Sequence, residues 1–339
     1  MHLDSIRELK RQLLTASKQL ALSQVSAPSR ETFSTTHEVA AGALQGIALG
    51  AVADKKGFRL AVRQQQASPF ISAVTEEIAS LAKGEVDIKY VGPIVKQASL
   101  APAAWYRRVR RPLTIGCSIS DLQPGVQMAG TLGCFVVARA APHYWGVLTN
   151  NHVIAGENRN LVGAPLLQPG TLDRGQSPKH IIGELGKYVR LKKTKINFVD
   201  AAFGILYDGC TADIATVGNL GKLHEERDVA EMTSGDTVYK VGRTTGQTKG
   251  RITAFDLDNV LVQYDVGVLR FDQQIEIEGT GHKAFCDGGD SGSVVVDKGL
   301  HPIGLLFAGS SIGSTNGKGL TFVNPIATVL DALEVDIDR

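Results

Sequence analysis

"CDGGDSGSVVV" (Cys286–Val296) is the stretch that decides how the second half of the chain is read. Glycines at 288, 289 and 292 and acids at 287 and 290 crowd around Ser291, directly before three valines. Glycine lets a backbone take angles that other residues resist and lets another segment come close. Val294, Val295 and Val296 read as a buried strand. Ser291 therefore stands on a sharp turn that feeds a core strand. The strand fixes the hydroxyl and the turn exposes it, which suits a nucleophile. A glycine-rich hairpin carrying an ordinary surface serine has the same local sequence, so this stretch alone leaves both readings open.

Working outward, short apolar or alternating runs recur from Pro112 onward, separated by Gly, Asn and Asp. "GTLGCFVVARA", "YWGVLTN", "FVDAAFGILY", "NVLVQYDV", "QQIEIEG", "PIGLLFAGS" and "GLTFVNP" are examples. This spacing predicts a mainly β fold, a barrel or a sandwich. The chain closes on "NPIATVLDALEV", where Asn324 is placed to cap and Pro325 fits a first helical turn. Ile326, Val329, Leu330 and Leu333 share a face, which predicts a helix over about 324–335 packed on the last barrel.

A serine hydroxyl attacks only when a base takes its proton, and the base needs an acid to orient it. His152, in "WGVLTNNHVIAG", follows an apolar strand at a turn. Asp200, in "INFVDAAFGIL", precedes a buried strand. Asp213, in "TADIATV", is a weaker competitor of the same type. Singly, such a histidine is a structural residue and such an aspartate a strand-start cap. No local rule predicts His152, Asp200 and Ser291 in that order, 48 and then 91 residues apart.

"TNNHV", "VDAAF" and "GGDSGS" resemble the three catalytic motifs of chymotrypsin-like serine proteases, over about residues 112–335. "KVGRTTGQTKGRI" and the opening "RPLTIGCSIS…GTLG" are most similar to intracellular bacterial trypsin-like domain proteins and the plant narrow-leaf type of protease. The resemblance implies a double β-barrel protease domain over 112–339, with a first barrel at about 112–207 and a second at about 230–323. It implies a serine endopeptidase acting on protein or peptide substrates without cofactor or metal. Ser291 is then the nucleophile, His152 the base, and Asp200 the acid. The N–H groups of Gly289 and Ser291 form the oxyanion hole. Phe307, Ala308 and Gly309 match the strand that pairs with substrate backbone. Phe285 falls at the pocket floor, with Gly309 and Gly319 leaving the pocket walls open. His282 is either a pocket residue or a surface-turn histidine. Asp290 pairs with a cleaved N-terminus in secreted relatives; ordering without a cut is the expectation here. Val153 stands where those relatives carry cysteine, so Cys286 is expected to stay a thiol. A latent protease-fold scaffold that binds partners, and an esterase using the same triad, remain as other readings.

The 339 residues have room for two or three domains. Lys+Arg 36 against Asp+Glu 34 gives no argument for nucleic acid or an acidic membrane. The start has no secretory pattern. Val39–Ala53 is too short and too rich in Gly and Ala to span a bilayer. Four cysteines in a chain this long do not suggest a disulfide framework, which makes a reducing cytoplasm the expected location. Residues 1–30 read as an amphipathic helix, on Leu3, Ile6, Leu9, Leu13 and Leu20, and a polar linker beginning at 24. Residues 31–111 read as a small α/β module with a basic linker: strand 57–64, helix 69–84 and strand 85–92. This module is structural or binds a partner or a second copy of the chain. "AAWYRRVRRP" (Ala103–Pro112) reads as a solvated linker anchored by its aromatics, and Lys187–Lys195 as a solvated loop.

Overall fold

The structure is a computed structural model that describes residues 1–25, 44, 46–54, 57–96, 105–123, 125–228 and 231–339. The polar linker read from residue 24 lies outside this set from 26 onward. The chain is mainly β, in a chymotrypsin-like double-barrel arrangement.

The second barrel closes on itself through six strands. Thr237–Gly242 pairs with Gly246–Asp258, which pairs with Gln274–Gly279. The ring continues through Leu320–Pro325, Pro302–Ser310 and Val294–Asp297, and the last returns to Thr237–Gly242. Inward-facing Val238, Ile252, Ile275, Ile277, Val295, Ile303, Leu306 and Val323 fill its core. Closure leaves no free sheet edge within the ring. The first barrel is a curled open sheet of eight strands, with Ala202–Leu206 between Ala141–Thr149 and Ile181–Tyr188.

Two features at the C-terminus differ from expectation. The helix runs over Ile326–Leu333 with Pro325 at its cap, and Asn324 makes no capping bond. The Asn324 side chain is buried and bonds Gln274 Oε1 and the Asp200 amide instead. The helix's apolar face joins the core that holds the first barrel's Phe135 and Leu148, together with Leu305 of the second barrel. A strand at Val335–Ile337 then pairs with Cys134–Ala138 of the first barrel, so the tail closes on both barrels. Three residues are too few for a period-2 pattern to reveal this strand.

The N-terminal elements share one core. Ile6 of helix Leu3–Val25 packs with Ile47, Leu49, Leu60, Val62, Ile71 and Ile78, and with Phe255 of the second barrel. Ser68 Oγ caps helix Pro69–Leu81 by accepting from the Ile71 N–H at 3.2 Å. Gly57–Gln64 pairs in parallel with Val86–Tyr90 across that helix, as a β–α–β unit requires. The strand Ile47–Asp54, rich in Ala and Gly, carries no strand signature, yet it joins the module to the barrel. It pairs with Gly57–Gln64 on one side and with the far end of Gly246–Asp258 on the other. Two register shifts bend that 13-residue strand so that it serves both sheets. The fully buried Arg63 guanidinium adds a bond to Glu276 in the barrel at 2.7 Å.

The basic segment before residue 112 is not simply a solvated linker. Arg107 is buried, and its Nε donates to the Arg243 carbonyl at 3.1 Å. Gln168 Oε1 accepts from the Arg110 N–H and from Arg111 Nη1. Arg108 and Arg111 are exposed, as expected of that linker. Within Lys187–Lys195, Leu191 is buried in the second barrel's apolar cluster and Lys187 pairs with Glu334. Among the described residues, no helix is long and apolar enough to cross a membrane.

Candidate active site

Strand Ala141–Thr149 ends at Asn150, and a single helical turn, Asn151–Ile154, carries His152. Asp200 sits at the entry to strand Ala202–Leu206, which pairs with Ala141–Thr149 in antiparallel register, Ala202 opposite Thr149. That pairing brings the two residues together across adjacent strands. His152 Nδ1 lies 2.5 Å from Asp200 Oδ2, and the His152 N–H donates to Asp200 Oδ1 at 3.2 Å. Asn150 Nδ2 donates to the Asp200 carbonyl and Asn324 Oδ1 accepts from the Asp200 N–H, so the acid is held on backbone and side chain alike. Asp213 is elsewhere, with its carboxylate on the Thr216 N–H at 3.1 Å.

Tyr264, not singled out by sequence reasoning, completes this cluster. Its hydroxyl donates to Asp200 Oδ2 at 2.6 Å, and its ring meets His152 edge-on at 5.9 Å between centroids. Burial pushes the Asp200 carboxyl up. The His152 charge and the bonds from His152 and Tyr264 outweigh burial and hold it below the usual carboxylate range. Burial first, and the Asp200 charge second, push the Tyr264 phenol well above its ordinary value, so it stays a donor. A depressed carboxyl stabilises the fold above its unfolded pKa, near 3.9, and that contribution is lost as pH falls through the folded value. Tyr264→Phe removes one of the bonds that depress Asp200. It is expected to cost about 1.5–3 kcal/mol, the range for a hydrogen bond to a charged group. Acid unfolding should then begin at higher pH than in the parent, checked by circular dichroism across a pH series.

The serine turn docks on the first barrel beside the histidine. The Ser291 carbonyl accepts from the Thr131 N–H at 2.8 Å. The Thr131 hydroxyl donates to the Gly289 carbonyl, and Thr149 Oγ1 donates to the Thr131 carbonyl. Gly130 is one point of close approach. A Cβ there would stand 2.5 Å from Val153 Cγ2 and 3.0 Å from the Ser291 carbonyl oxygen, so only glycine fits between the histidine turn and the serine turn. Ser291 Oγ donates to the Phe307 carbonyl at 3.4 Å, and His152 Nε2 is buried without a hydrogen-bond partner. Gly289 has φ +90°, the left-handed region that favours glycine. Among the described residues, the N–H groups of Gly289 and Ser291 are in no hydrogen bond.

Asp290 is fully buried and faces a cation supplied by the neighbouring strand, Lys240 Nζ, at 3.1 Å. Its Oδ1 accepts from the Thr244 and Thr245 N–H groups, and its Oδ2 accepts from Thr245 Oγ1 and the Asp287 N–H. Lys240 also donates to Thr245 Oγ1 and to the Gly246 carbonyl, so its three protons are all placed.

Phe307 and Ala308 are buried in strand Pro302–Ser310. Phe285 is 1% exposed, with its ring in the second barrel's core beside Val238 and Ile252 rather than at a pocket floor. The Gly319 backbone lies against the Ser310 carbonyl, where a Cβ would stand 1.9 Å away, so only glycine fits there. His282 is exposed on a turn. Cys286 is a free thiol, pushed up to about 12 by burial. No group of three or more potential metal ligands occurs among the described residues.

The architecture and this cluster together define the chymotrypsin-like class of folds. The model of one protein family, the Nal1 C-terminal domain, matches residues 185–324, which include Asp200 and Ser291 and exclude His152. That match agrees with the resemblance to the narrow-leaf type of protease. The comparison with curated proteins gave no match. Among solved structures, the chain is similar to Cellulomonas bogoriensis chymotrypsin at 20% identity and TM-score 0.44, over 67% of this chain and 98% of that one. It is similar to Nocardiopsis protease at 19% identity and TM-score 0.46, over 67% and 99%. Thermobifida fusca protease A gives 18% identity and TM-score 0.45, over 66% and 97%.

Proposed function

We propose that the chain is a serine endopeptidase. The carrying observation is the His152–Asp200 pair, whose outer nitrogen, Nε2, is buried without a partner. It lies beside a glycine turn that presents a serine and two backbone amides with no hydrogen bond among the described residues. Ser291 Oγ turns from the Phe307 carbonyl and attacks the substrate carbonyl carbon. His152 Nε2 takes its proton and passes it to the leaving amine as the C–N bond breaks. Asp200, fixed by Tyr264 and Asn324, keeps the imidazole in the tautomer with Nε2 free and stabilises its charged form. The Gly289 and Ser291 amides receive the negative charge on the carbonyl oxygen. Water then cleaves the acyl-enzyme by the same steps. Four free cysteines fit a reducing compartment, for which we propose the cytoplasm.

A second reading, a latent scaffold on a protease fold, is favoured by one observation: Ser291 is 1% and His152 3% exposed. A fluorophosphonate probe together with a peptide-library digest separates the two. Labelling of Ser291 with cleavage of internal peptide bonds is the expected result. A folded protein that neither labels nor cleaves is the scaffold; one that labels and cleaves esters alone is an acyl hydrolase.

A further inference from the structure

Strand Pro302–Ser310 has two edges. One is covered by Leu320–Pro325, with Ala308 opposite Phe322 and Gly309 opposite Thr321. The other begins against Val294–Asp297 and continues beside the serine turn, where Gly292 and Ser293 exchange backbone bonds with Leu306. Beyond that point this second edge carries Phe307, whose carbonyl accepts from Ser291 Oγ. Further along, the same edge is occupied by the chain itself. Ile94–Val95 pairs with it in antiparallel register, Ile94 opposite Ser310 and Val95 opposite Gly309. The direction matters. A segment that passes Ser310 first and Gly309 second is heading along the edge toward Phe307 and the serine.

The segment is anchored on every side. Ile94 is buried, and Ile94–Val95 also pairs in parallel with Val262–Gln263. Before it, Gly92 is seated against Ile312, where a Cβ would stand 2.8 Å from Cδ1. After it, the Lys96 ammonium pairs with Glu157 and, at 2.8 Å, with Asp265. Glu157 belongs to the loop that follows the His152 turn, and Asp265 to the turn after Val260–Tyr264, so Lys96 latches the segment to both barrels. The Glu157 carboxylate is buried and also accepts from the Asp265 and Val266 N–H groups, which holds the latch in place.

We infer that the Gly309–Ser310 edge is a docking edge for extended peptide backbones, and that Ile94–Val95 is its built-in occupant, which a substrate must displace. Extended peptides bind sheet edges by adding a strand, with main-chain bonds supplying affinity. An edge already paired offers no such bonds. A tethered occupant competes at high effective concentration, and apparent affinity falls by the fraction of molecules that are open. With about one molecule in ten open, an extended substrate binds about tenfold more weakly than the edge allows. The N-terminal module, joined to the barrel by strand pairing and by Arg63–Glu276, then acts as an inhibitor carried in cis.

This inference rests on the peptidase reading, and the test separates the two. The full-length chain, Lys96→Glu and Val95→Pro are compared on a chromogenic peptide with at least four residues before the scissile bond, and on a single-residue ester. Lys96→Glu sets like charges against Glu157 and Asp265; Val95→Pro removes a strand N–H. The expected result is a KM for the long peptide about tenfold lower in both variants, with the ester kinetics unchanged. Should Val95→Pro fail to fold, Lys96→Glu, which leaves every backbone N–H in place, decides alone. An unchanged KM for the long peptide, or equal changes on peptide and ester, overturns the inference while fluorophosphonate labelling of Ser291 still supports the peptidase. No labelling in any of the three proteins overturns the peptidase reading, and this inference with it.

Discussion

Ser291→Ala and His152→Ala are each expected to lower kcat by on the order of 10⁶; Ser291→Ala should melt near the parent, whereas His152→Ala also takes a bond from the buried Asp200 carboxylate and should melt lower. Asp200→Asn is expected to lower it by about 10⁴. The three groups act as one unit. Without the serine there is no bond to form, and without the imidazole its hydroxyl stays protonated. The aspartate works through tautomer choice. Asp200 Oδ2 now receives both His152 Nδ1 and the Tyr264 hydroxyl, and an amide nitrogen at that position would present donors to both. The imidazole would then turn its lone pair toward residue 200 and leave Nε2 protonated, unable to take the Ser291 proton. A Ser291→Ala, His152→Ala double variant should be no slower than either single one. Asp213→Asn should match the parent, since Asp213 only holds the Thr216 N–H. The checks are rates of peptide hydrolysis and thermal melts of the five variants beside the parent. A normal rate in Asp200→Asn, or a collapse in Asp213→Asn, removes Asp200 from the mechanism.

How far this site can be read from sequence follows from the range of each signal. His152 and Asp200 are legible because each stands at the end of an apolar strand, and a strand end next to polar residues is a local pattern. Ser291 is legible because glycines cluster there. Tyr264 is not, because "NVLVQYDV" reads as an alternating strand whose tyrosine is simply one more inward residue. Only the need of a buried hydroxyl for a partner hints at more. Lys240 leaves a clearer trace. In "TVYKVG" it falls on the inward side with Val238, and a lysine at an apolar position needs a buried acid. Which acid is a long-range fact, fixed 50 residues away. Asn324 resembles a helix cap because its neighbours are Pro and Ile; its partners lie on other strands. Phe285 illustrates the converse limit. The resemblance places it at a pocket floor, but the ring packs in the barrel core with Val238 and Ile252. The two-residue strand Ile94–Val95 is too short for any periodicity.

Lys240→Met is expected to destabilise the fold by about 3–5 kcal/mol, the cost of leaving one member of a buried ion pair without the other. Both side chains are fully buried, so water cannot replace the lost cation. For a chain of this size that corresponds to roughly 10 °C in melting temperature. Asp290 keeps its bonds from the Thr244, Thr245 and Asp287 amides, but they satisfy its oxygens without balancing its charge. The expected consequence extends to rate. Those same bonds tie the Asp287–Ser291 backbone to the loop after Thr237–Gly242, and the Gly289 amide is part of that backbone. Loosening it should lower kcat more than it raises KM, because the oxyanion exists only after attack. Adding Asp290→Asn to Lys240→Met removes the stranded charge and should recover part of the lost stability, a coupling measurable by a double-mutant cycle. The rate should not recover with it, because the side-chain amide that Asp290→Asn introduces would present a donor to backbone N–H groups that need an acceptor. A Lys240→Met protein that melts with the parent, or a double variant less stable than the single one, would show that this ammonium is not what balances the buried carboxylate behind the serine turn.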